Sequence, residues 1–204
     1  MTNIFVEPKN AKVSYTVPGS DIKPKAEGFP ESWSLSFWIY IDDWNYKYSK
    51  DKYIVSWENC NIWLSKKLND LNIYVPTFNN NRGERVLVKG IPLQKWVHVC
   101  VVLDNRDLDI WLNGKLYNSR HLSNVPYVNP SAIMTICDKG GFSGHMSRFR
   151  HYCIPIPKRR LLHPDSVLFI YQMSPFPYTN ALTSMWTKLK GSVSINVDVN
   201  VDTN

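Results

Sequence analysis

Residues 94–117 decide the fold of this chain, and they read Gln-Lys-Trp-Val-His-Val-Cys-Val-Val-Leu-Asp-Asn-Arg-Asp-Leu-Asp-Ile-Trp-Leu-Asn-Gly-Lys-Leu-Tyr. The first part, residues 96–103, is almost wholly apolar and rich in valine. Such a run predicts a β-strand that is covered on both faces, because a half-solvated strand would alternate apolar and polar side chains.

The next stretch, residues 108–112, predicts a strand with one buried face. Its apolar side chains alternate with Asp109 and Trp111, so the two sets point to opposite faces of a strand. Asn113-Gly114 follows and is the strongest short signal for a hairpin, because a type I′ turn needs positive φ at both central residues. The core of the fold is therefore predicted to be an antiparallel meander.

Short strands are predicted on both sides of this meander. Residues 33–41 alternate cleanly, with the apolar set Trp33, Leu35, Phe37, Ile39 and Ile41 on one face and Ser34, Ser36, Trp38 and Tyr40 on the other. Further strand-like runs lie at residues 53–57, 61–65, 71–75, 85–89, 132–137 and 144–153. One helical segment is predicted at residues 164–171, where Pro164 suits a first turn. Many short strands and one short helix predict an all-β sandwich.

The composition indicates a basic protein. The 204 residues include 24 Lys and Arg against 17 Asp and Glu, which gives a net charge of +7. Such a charge favours acidic partners, namely nucleic acid, an anionic membrane surface or an acidic protein surface, and selects none of them.

The cysteines and the chain start indicate where the protein is made. The four cysteines lack the Cys-x-x-Cys spacing of zinc or redox sites, so buried free thiols are favoured over a disulfide. The first residues have no signal-peptide pattern, and no window approaches about 18 consecutive apolar residues. We expect a soluble protein from a reducing compartment without a transmembrane segment.

Four motifs carry a family resemblance, and they occur in a fixed order. They are Ser-Leu-Ser-Phe-Trp-Ile-Tyr at residues 34–40, Pro-Leu-Gln-Lys-Trp-Val-His-Val at 92–99, Leu-Asp-Ile-Trp-Leu-Asn-Gly-Lys at 108–115, and the run from Gly-Gly-Phe-Ser-Gly to Tyr at 140–152. In this order they resemble the laminin-G-like (LamG) branch of the concanavalin A-like jelly rolls. The resemblance implies a two-sheet antiparallel jelly-roll sandwich with one short helix and terminal arms.

The single-domain form is most similar to LamG proteins encoded by large nucleocytoplasmic DNA viruses. That resemblance implies a structural protein of the virion that is assembled in the host cytoplasm. The proline-rich first 30 residues, with one alternating run, indicate an N-terminal arm with one strand at residues 1–30, and Pro175 and Pro177 mark a C-terminal extension at 175–204. The LamG-like sandwich is then expected at residues 31–174.

The C-terminal extension ends in a period-2 strand pattern. Residues 192–202 alternate polar side chains with an apolar set that includes Val193, Ile195, Val197 and Val199. This amphipathic strand needs a sheet to join. It either pairs within the domain or adds to the sheet of a neighbouring protein, which would make it a partner-binding element.

Catalysis and metal binding are not favoured by the sequence. Retaining glucanases of this fold use a Glu-x-Asp-x-x-Glu strand, and this chain has only Asp107 and Asp109 on one face beside a turn. Calcium would need several converging oxygens, whereas the candidates lie in three separate loops; these candidates are Asp42, Asp43, Asp104, Asn105, Asp107 and Asp138. Ordinary loop acids are the favoured interpretation, and we expect no enzyme activity and no cofactor.

Exposed aromatic side chains supply a candidate glycan-binding platform. The set is dense between residues 38 and 57 and comprises Trp38, Tyr40, Trp44, Tyr46 and Trp57. Aromatic rings can stack on the flat face of a sugar. The alternative is that Trp38 and Tyr40 pack the second sheet layer while Trp44, Tyr46 and Tyr48 cover a loop or contact a partner protein.

Basic side chains supply a candidate partner-binding patch near the end of the predicted sandwich. Its members are Arg148, Arg150, Lys158, Arg159 and Arg160. No helix-turn-helix, zinc or RNP pattern accompanies them, so specific nucleic-acid binding is not expected. Docking to an acidic capsid or membrane-facing surface and a merely solvated face are both consistent with the pattern.

The leading hypothesis from the sequence is a non-enzymatic minor capsid protein. It would cement neighbouring shell proteins of a large DNA virus particle through its sandwich surface and arms. The alternative is a carbohydrate-binding, lectin-like module that recognises glycans.

Overall fold

The computed structural model describes residues 1–22, 32–78 and 83–157 of the chain. These residues form thirteen strands, a four-residue helix α1 (Gly19–Ile22) and a 3-10 turn (Asp138–Gly140). The strands are β1 (Thr2–Phe5), β2 (Lys9–Asn10), β3 (Tyr15–Val17), β4 (Trp33–Asp43), β5 (Lys52–Trp57), β6 (Cys60–Leu64), β7 (Leu71–Val75), β8 (Glu84–Val88), β9 (Trp96–Asp104), β10 (Asp107–Leu112), β11 (Lys115–His121), β12 (Met134–Ile136) and β13 (Ser143–Tyr152). The helix predicted at residues 164–171 lies outside the described residues.

The strands form two antiparallel sheets. The seven-stranded sheet has the order β1-β13-β4-β9-β10-β11, and β2 also pairs with β13. The six-stranded sheet has the order β3-β12-β5-β6-β7-β8. The predicted all-β jelly-roll sandwich of two antiparallel sheets is confirmed.

The meander predicted at residues 94–117 is present as β9, β10 and β11. Asn113 and Gly114 have φ values of 48° and 76°, as a type I′ turn requires, and Leu112 pairs with Lys115 beside them. The valine-rich strand β9 is buried on both of its faces from Val97 to Leu103. Both expectations are confirmed.

The second strand of the meander, β10, departs from its prediction. Asp109 is 3% exposed and Trp111 is 1% exposed, so its supposedly solvated face is covered. Trp111 packs with Cys100 and Val102, and Ile156 lies against them. The expectation of one solvated face was wrong because the segment around Ile156 covers that face of β10. The alternation within residues 108–112 cannot reveal a contact with so distant a part of the sequence.

Ser34 attaches the returning chain to this face. Its hydroxyl donates to the carbonyl of Ile154 at 3.1 Å and accepts the N–H of Ile156 at 2.9 Å. Ser34 itself is fully buried. The segment that follows β13 is therefore fixed across the seven-stranded sheet.

The main core lies between the two sheets. The apolar set predicted for β4, from Trp33 to Ile41, is at most 2% exposed. Phe37 stacks on Phe149 of β13, with ring centroids 5.3 Å apart and planes inclined by 11°. The six-stranded sheet contributes Ile54, Ile62 and Ile73 to the same cluster. Because odd-numbered residues of β4 enter this core, its even-numbered residues point to the opposite face.

The N-terminal segment differs from the predicted arm with one strand. Its described part contains three strands: β1 and β2 pair with β13, and β3 pairs with β12. This part therefore contributes to both sheets of the sandwich. Strands of two to four residues carry too little alternation to be recognised in the sequence, and only their pairing partners define them.

The cysteines are free thiols, and three of them are buried: Cys60, Cys100 and Cys137. Burial raises the pKa of Cys100 and of Cys137 to about 12. Cys153 is half-buried. The longest helix of the described residues has four residues, so none of the described helices could cross a bilayer.

Candidate binding face

The candidate site lies on the outer face of the seven-stranded sheet, which we define as the face directed away from the core between the sheets. Strand β4 contributes Ser36, Trp38 and Tyr40 to this face because its odd-numbered residues are in the core. On neighbouring β9, the residues directly opposite are Cys100, His98 and Trp96 in the same order. On β13, the opposite residues are Arg150, Ser147 and His145.

Three half-buried aromatic side chains form a continuous row on the outer face. We call Trp38, Tyr40 and Trp96 the aromatic row. The rings of Tyr40 and Trp96 are 5.4 Å apart, and Trp38 occupies the next outward position of β4. All three keep part of their surface exposed. A row of adjacent, partly solvated rings can stack against another flat, partly apolar surface.

Behind the aromatic row lies a buried polar pair, Ser36 and His98. Ser36 Oγ is 2.9 Å from His98 Nε2, and the imidazole is 3% exposed. Burial lowers the pKa of His98 to about 3, and the nearby charge of Arg150 adds to the decrease. His98 is therefore neutral at physiological pH. Its ring lies 5.2 Å from that of Trp38, which joins the pair to the aromatic row.

Arg150 places a positive charge beside this pair. It is directly opposite Ser36 and is 9% exposed. Its Nε donates to Oδ1 of Asn3 on β1 at 3.2 Å. The outer face thus combines partly exposed rings, a neutral imidazole, a hydroxyl and a guanidinium within a few residues of one another.

The five predicted platform residues do not share one surface. Trp38 and Tyr40 lie on the outer face. Trp57 is 5% exposed and packs edge-on against Trp33 in the core, so its assignment to a binding platform was wrong. It belongs to β5 of the other sheet, whose inward residues meet the core. The local sequence does not show which side chains of one sheet pack against the other sheet.

Trp44 and Tyr46 make contacts away from the aromatic row. Trp44 packs against the core cluster, and Nζ of Lys52 lies 4.6 Å from its ring centroid. The hydroxyl of Tyr46 donates to the carbonyl of Gly140 at 3.0 Å, and Nζ of Lys12 lies 4.8 Å from its ring. These two rings connect loops rather than extending the row.

The predicted basic patch also needs correction. Arg148 is 4% exposed and Arg150 is 9% exposed, so neither belongs to a solvated basic surface. The reason is that β13 is an interior strand, flanked by β4 on one side and by β1 and β2 on the other. Arg148 has φ 48° within an irregular part of the β13–β4 pairing. Lys158, Arg159 and Arg160 lie outside the described residues, as do Val193, Ile195, Val197 and Val199.

The loop acids considered for calcium have separate protein partners. Asp43 Oδ1 accepts the N–H of Asn45 at 2.8 Å, Asp138 Oδ2 accepts the hydroxyl of Ser56 at 3.3 Å, and Asp107 pairs with His121 at 2.7 Å. Within the described part of the chain, no three His, Cys, Asp or Glu side chains converge on a point that could hold a metal ion.

Sequence reasoning missed Trp96, His98 and Asn3 as members of this face. The first two could have been found, because they alternate with Val97 and Val99 and must lie on the face opposite those valines. Asn3 gave no signal, since its role depends on β1 pairing with β13, 147 residues away in the chain.

A family model described as "Concanavalin A-like lectin/glucanases superfamily" (Laminin_G_3) matches residues 18–156. The chain belongs to this superfamily. Residues 18–156 include every strand from β4 to β13, so the match covers the strands that carry the aromatic row. No match was found among curated proteins.

Solved structures similar to this concanavalin A-like chain include botulinum neurotoxin binding domains. The receptor binding domain of botulinum neurotoxin D has a TM-score of 0.63 and 11% identity, over 84% of this chain and 46% of that one. The binding domain of botulinum neurotoxin DC in complex with SialylT has a TM-score of 0.58 and 18% identity, over 78% and 40% of the two chains. This chain spans less than half the length of both neighbours, and identities this low show the shared fold alone.

Proposed function

We propose that this concanavalin A-like domain is a non-catalytic module that binds glycans on the outer face of its seven-stranded sheet. The observation that carries the proposal is the aromatic row: Trp38, Tyr40 and Trp96 are adjacent, half-buried and on one face. The faces of sugar rings are apolar at their C–H groups, so a row of rings offers them a matching surface. The polar groups beside the row, those of Ser36, His98 and Arg150, supply hydrogen-bonding partners for the hydroxyl groups of the sugar.

The similar solved structures are consistent with this proposal. They are binding and receptor-binding domains, and one of them is a complex with SialylT. The two neighbours are much longer than this chain, so their ligands support the proposal only through the shared fold. The residues of the aromatic row carry the specific argument.

The two acidic residues of β10, Asp107 and Asp109, also favour a binding role over hydrolysis. Retaining glycosidases need two accessible carboxyl groups about 5 Å apart. Asp107 is exposed and paired with His121, whereas Asp109 is 3% exposed. Because one carboxyl group is paired and the other is buried, the two residues do not form the accessible pair that hydrolysis needs.

A glycan array probed with the purified full chain tests the proposal. We expect saturable binding to a subset of glycans and a loss of at least tenfold in affinity for Trp38→Ala and Trp96→Ala. Tyr48→Ala is the matched control, because Tyr48 is 55% exposed and belongs to no outer-face strand. Absence of binding to every glycan, or undiminished binding by both tryptophan variants, would contradict the proposal.

The second candidate function is that of a minor capsid protein in a large DNA virus particle, assembled in the host cytoplasm. The alternating pattern of residues 192–202 favours it, since an amphipathic terminal strand suits addition to a neighbouring subunit. Deletion of residues 192–204 should leave the melting temperature of the sandwich unchanged and abolish incorporation into particles. Normal incorporation of the shortened chain would contradict this function.

A further inference from the structure

The outer face contains a buried positive charge that lacks a described counter-charge. Arg150 is 9% exposed, and its hydrogen bond to the described residues is the contact from Nε to neutral Asn3. The ion pairs of the described residues involve other cations, namely Lys66, Arg120, His121 and His145. A buried charge is costly unless it is paired. This cost indicates that an anionic group completes the site.

Two hydrogen-bond donors on the same face also lack partners among the described residues. Nε1 of Trp38 and Nδ1 of His98 are buried and have no acceptor among the described residues. Both side chains lie on the outer face, where His98 is opposite Trp38. His98 is more than nine-tenths buried. If Ser36 donates its hydroxyl hydrogen to Nε2 of His98, the neutral imidazole carries its own hydrogen on Nδ1. Nδ1 can then donate a hydrogen bond to a ligand oxygen.

The charges are distributed unevenly along the aromatic row. Arg150 is opposite Ser36 at one end, and Asp42 pairs with His145 across 3.8 Å at the other end, beyond Tyr40. Alternate residues of a strand are about 6.6 Å apart, which is close to the width of one sugar ring. Asp109 is also on this face, but it is on β10, three strands from β13, so the backbones of the two residues are roughly 14 Å apart. An anionic group is therefore favoured at the Arg150 end and disfavoured near Asp42.

From these observations we infer that the outer face binds an acidic glycan, with the carboxylate or sulfate of one sugar at Arg150 and the neighbouring sugar rings on the aromatic row. The inference rests on the proposed glycan-binding function and names the class of glycan. With Nε of Arg150 engaged by Asn3, the terminal guanidinium nitrogens can bind two oxygens of one anionic group. Ser36 and His98 lie beside Arg150 and complete the polar end of the site.

Isothermal titration of the full chain with three related sugars tests the inference. The ligands are sialyllactose, which carries a carboxylate, sulfated lactose, which carries a sulfate, and neutral lactose. We expect at least one acidic ligand to bind about tenfold more tightly than lactose, as a charge-assisted pair would provide. Comparison of the two acidic ligands shows which anion the site prefers. Equal affinities for all three ligands would overturn the inference and leave the proposed function standing, whereas no binding of any glycan would contradict both.

Variants of Arg150 locate the anion. Arg150→Gln removes the charge and should abolish the preference for acidic ligands, measured as the ratio of sialyllactose or sulfated-lactose affinity to lactose affinity in the same variant. The control Arg120→Gln removes the same charge from a side chain that is 49% exposed on β11, and it should leave the preference intact. An unchanged preference in folded Arg150→Gln would overturn the inference.

The salt dependence of the unaltered chain covers the case in which Arg150→Gln fails to fold. The preference for the acidic ligand should decrease as sodium chloride is raised from 20 to 500 mM, because salt screens charge pairs. The affinity for lactose should not change over this range. A preference independent of salt would overturn the inference.

Discussion

Ser36 Oγ lies 2.9 Å from Nε2 of His98 across two neighbouring strands, and both side chains are buried on the outer face of the seven-stranded sheet. Polar pairs at such positions must be hydrogen-bonded to be tolerated. The imidazole stays neutral, because burial lowers the pKa of His98 to about 3. The pair therefore links the aromatic row to Arg150 without adding a second charge.

Buried histidines make the stability of the fold dependent on pH. Burial lowers the pKa of His98 to about 3 and that of His151 to about 4, against about 6.5 in the unfolded chain. The unfolded state therefore binds more protons between about pH 6.5 and pH 4. Stability is fully present above pH 6.5, and each histidine lowers it by up to about 1.4 kcal/mol per pH unit as the pH falls through this window.

Urea unfolding at pH 7, 6, 5 and 4.5 measures this dependence. His98→Gln should give a shallower decrease in the free energy of unfolding, because one of the two contributions is lost. His145→Gln is the control, since His145 is exposed and its substitution removes no buried imidazole. An identical slope for His98→Gln and the unaltered chain would contradict the assignment.

The stacked pair Phe37 and Phe149 is expected to be a major source of stability. Both rings are fully buried, with centroids 5.3 Å apart. Phe37→Ala should lower the free energy of unfolding by about 3 to 5 kcal/mol, because it removes buried surface and leaves a cavity. Phe78→Ala, at a ring that is 66% exposed, should cost less than about 1 kcal/mol. Chemical denaturation of both variants makes the comparison, and similar losses for the two would refute the core assignment.

Gly144 allows β13 to approach the aromatic row. Its φ is +152°, and a Cβ there would lie 1.9 Å from the backbone carbonyl oxygen of Tyr40. Gly144→Ala should therefore destabilise the fold and weaken glycan binding, because the backbone of Tyr40 must move. At Gly90, φ is +71° and a Cβ would meet nothing within 4 Å, so Gly90→Ala should cost only about 1 to 2 kcal/mol and leave binding intact. Thermal melts and glycan titration report the two effects, and equal behaviour of the variants would count against this role.

The cysteines should differ sharply in reactivity. Cys153 is half-buried, whereas Cys60, Cys100 and Cys137 are buried and burial raises the pKa of each thiol. A thiol reagent such as DTNB at pH 8 should modify one thiol rapidly in the native protein and four after unfolding. Cys153→Ser should abolish the rapid phase. Rapid modification of two or more thiols in the native state would contradict the described burial.

The sequence was sufficient for features that depend on local pattern. Alternation along β4 identified Phe37 and Ile39 as core residues, and Asn113-Gly114 identified the hairpin, because side-chain period and turn geometry are local properties. The order of these motifs also supported the concanavalin A-like resemblance, which the family match to residues 18–156 confirms.

Features that depend on long-range pairing could not be predicted in this way. The cover over Trp111 comes from Ile156, and the core position of Trp57 depends on its contact with Trp33 in the opposite sheet. Arg150 was predicted to be a surface residue, and its burial follows from β1 and β2 pairing with β13. The viral origin and the capsid role inferred from resemblance stay predictions.

The central claim, glycan binding on the aromatic row, is tested most directly by the indole N–H resonances of ¹⁵N-labelled protein during titration with sialyllactose. Substitution of single tryptophans by phenylalanine assigns the eight signals. We predict that the resonances of Trp38 and Trp96 shift in a saturable manner, while those of core Trp33 and Trp57 do not. Unchanged Trp38 and Trp96 resonances at saturating sialyllactose, lactose and sulfated lactose would contradict the account.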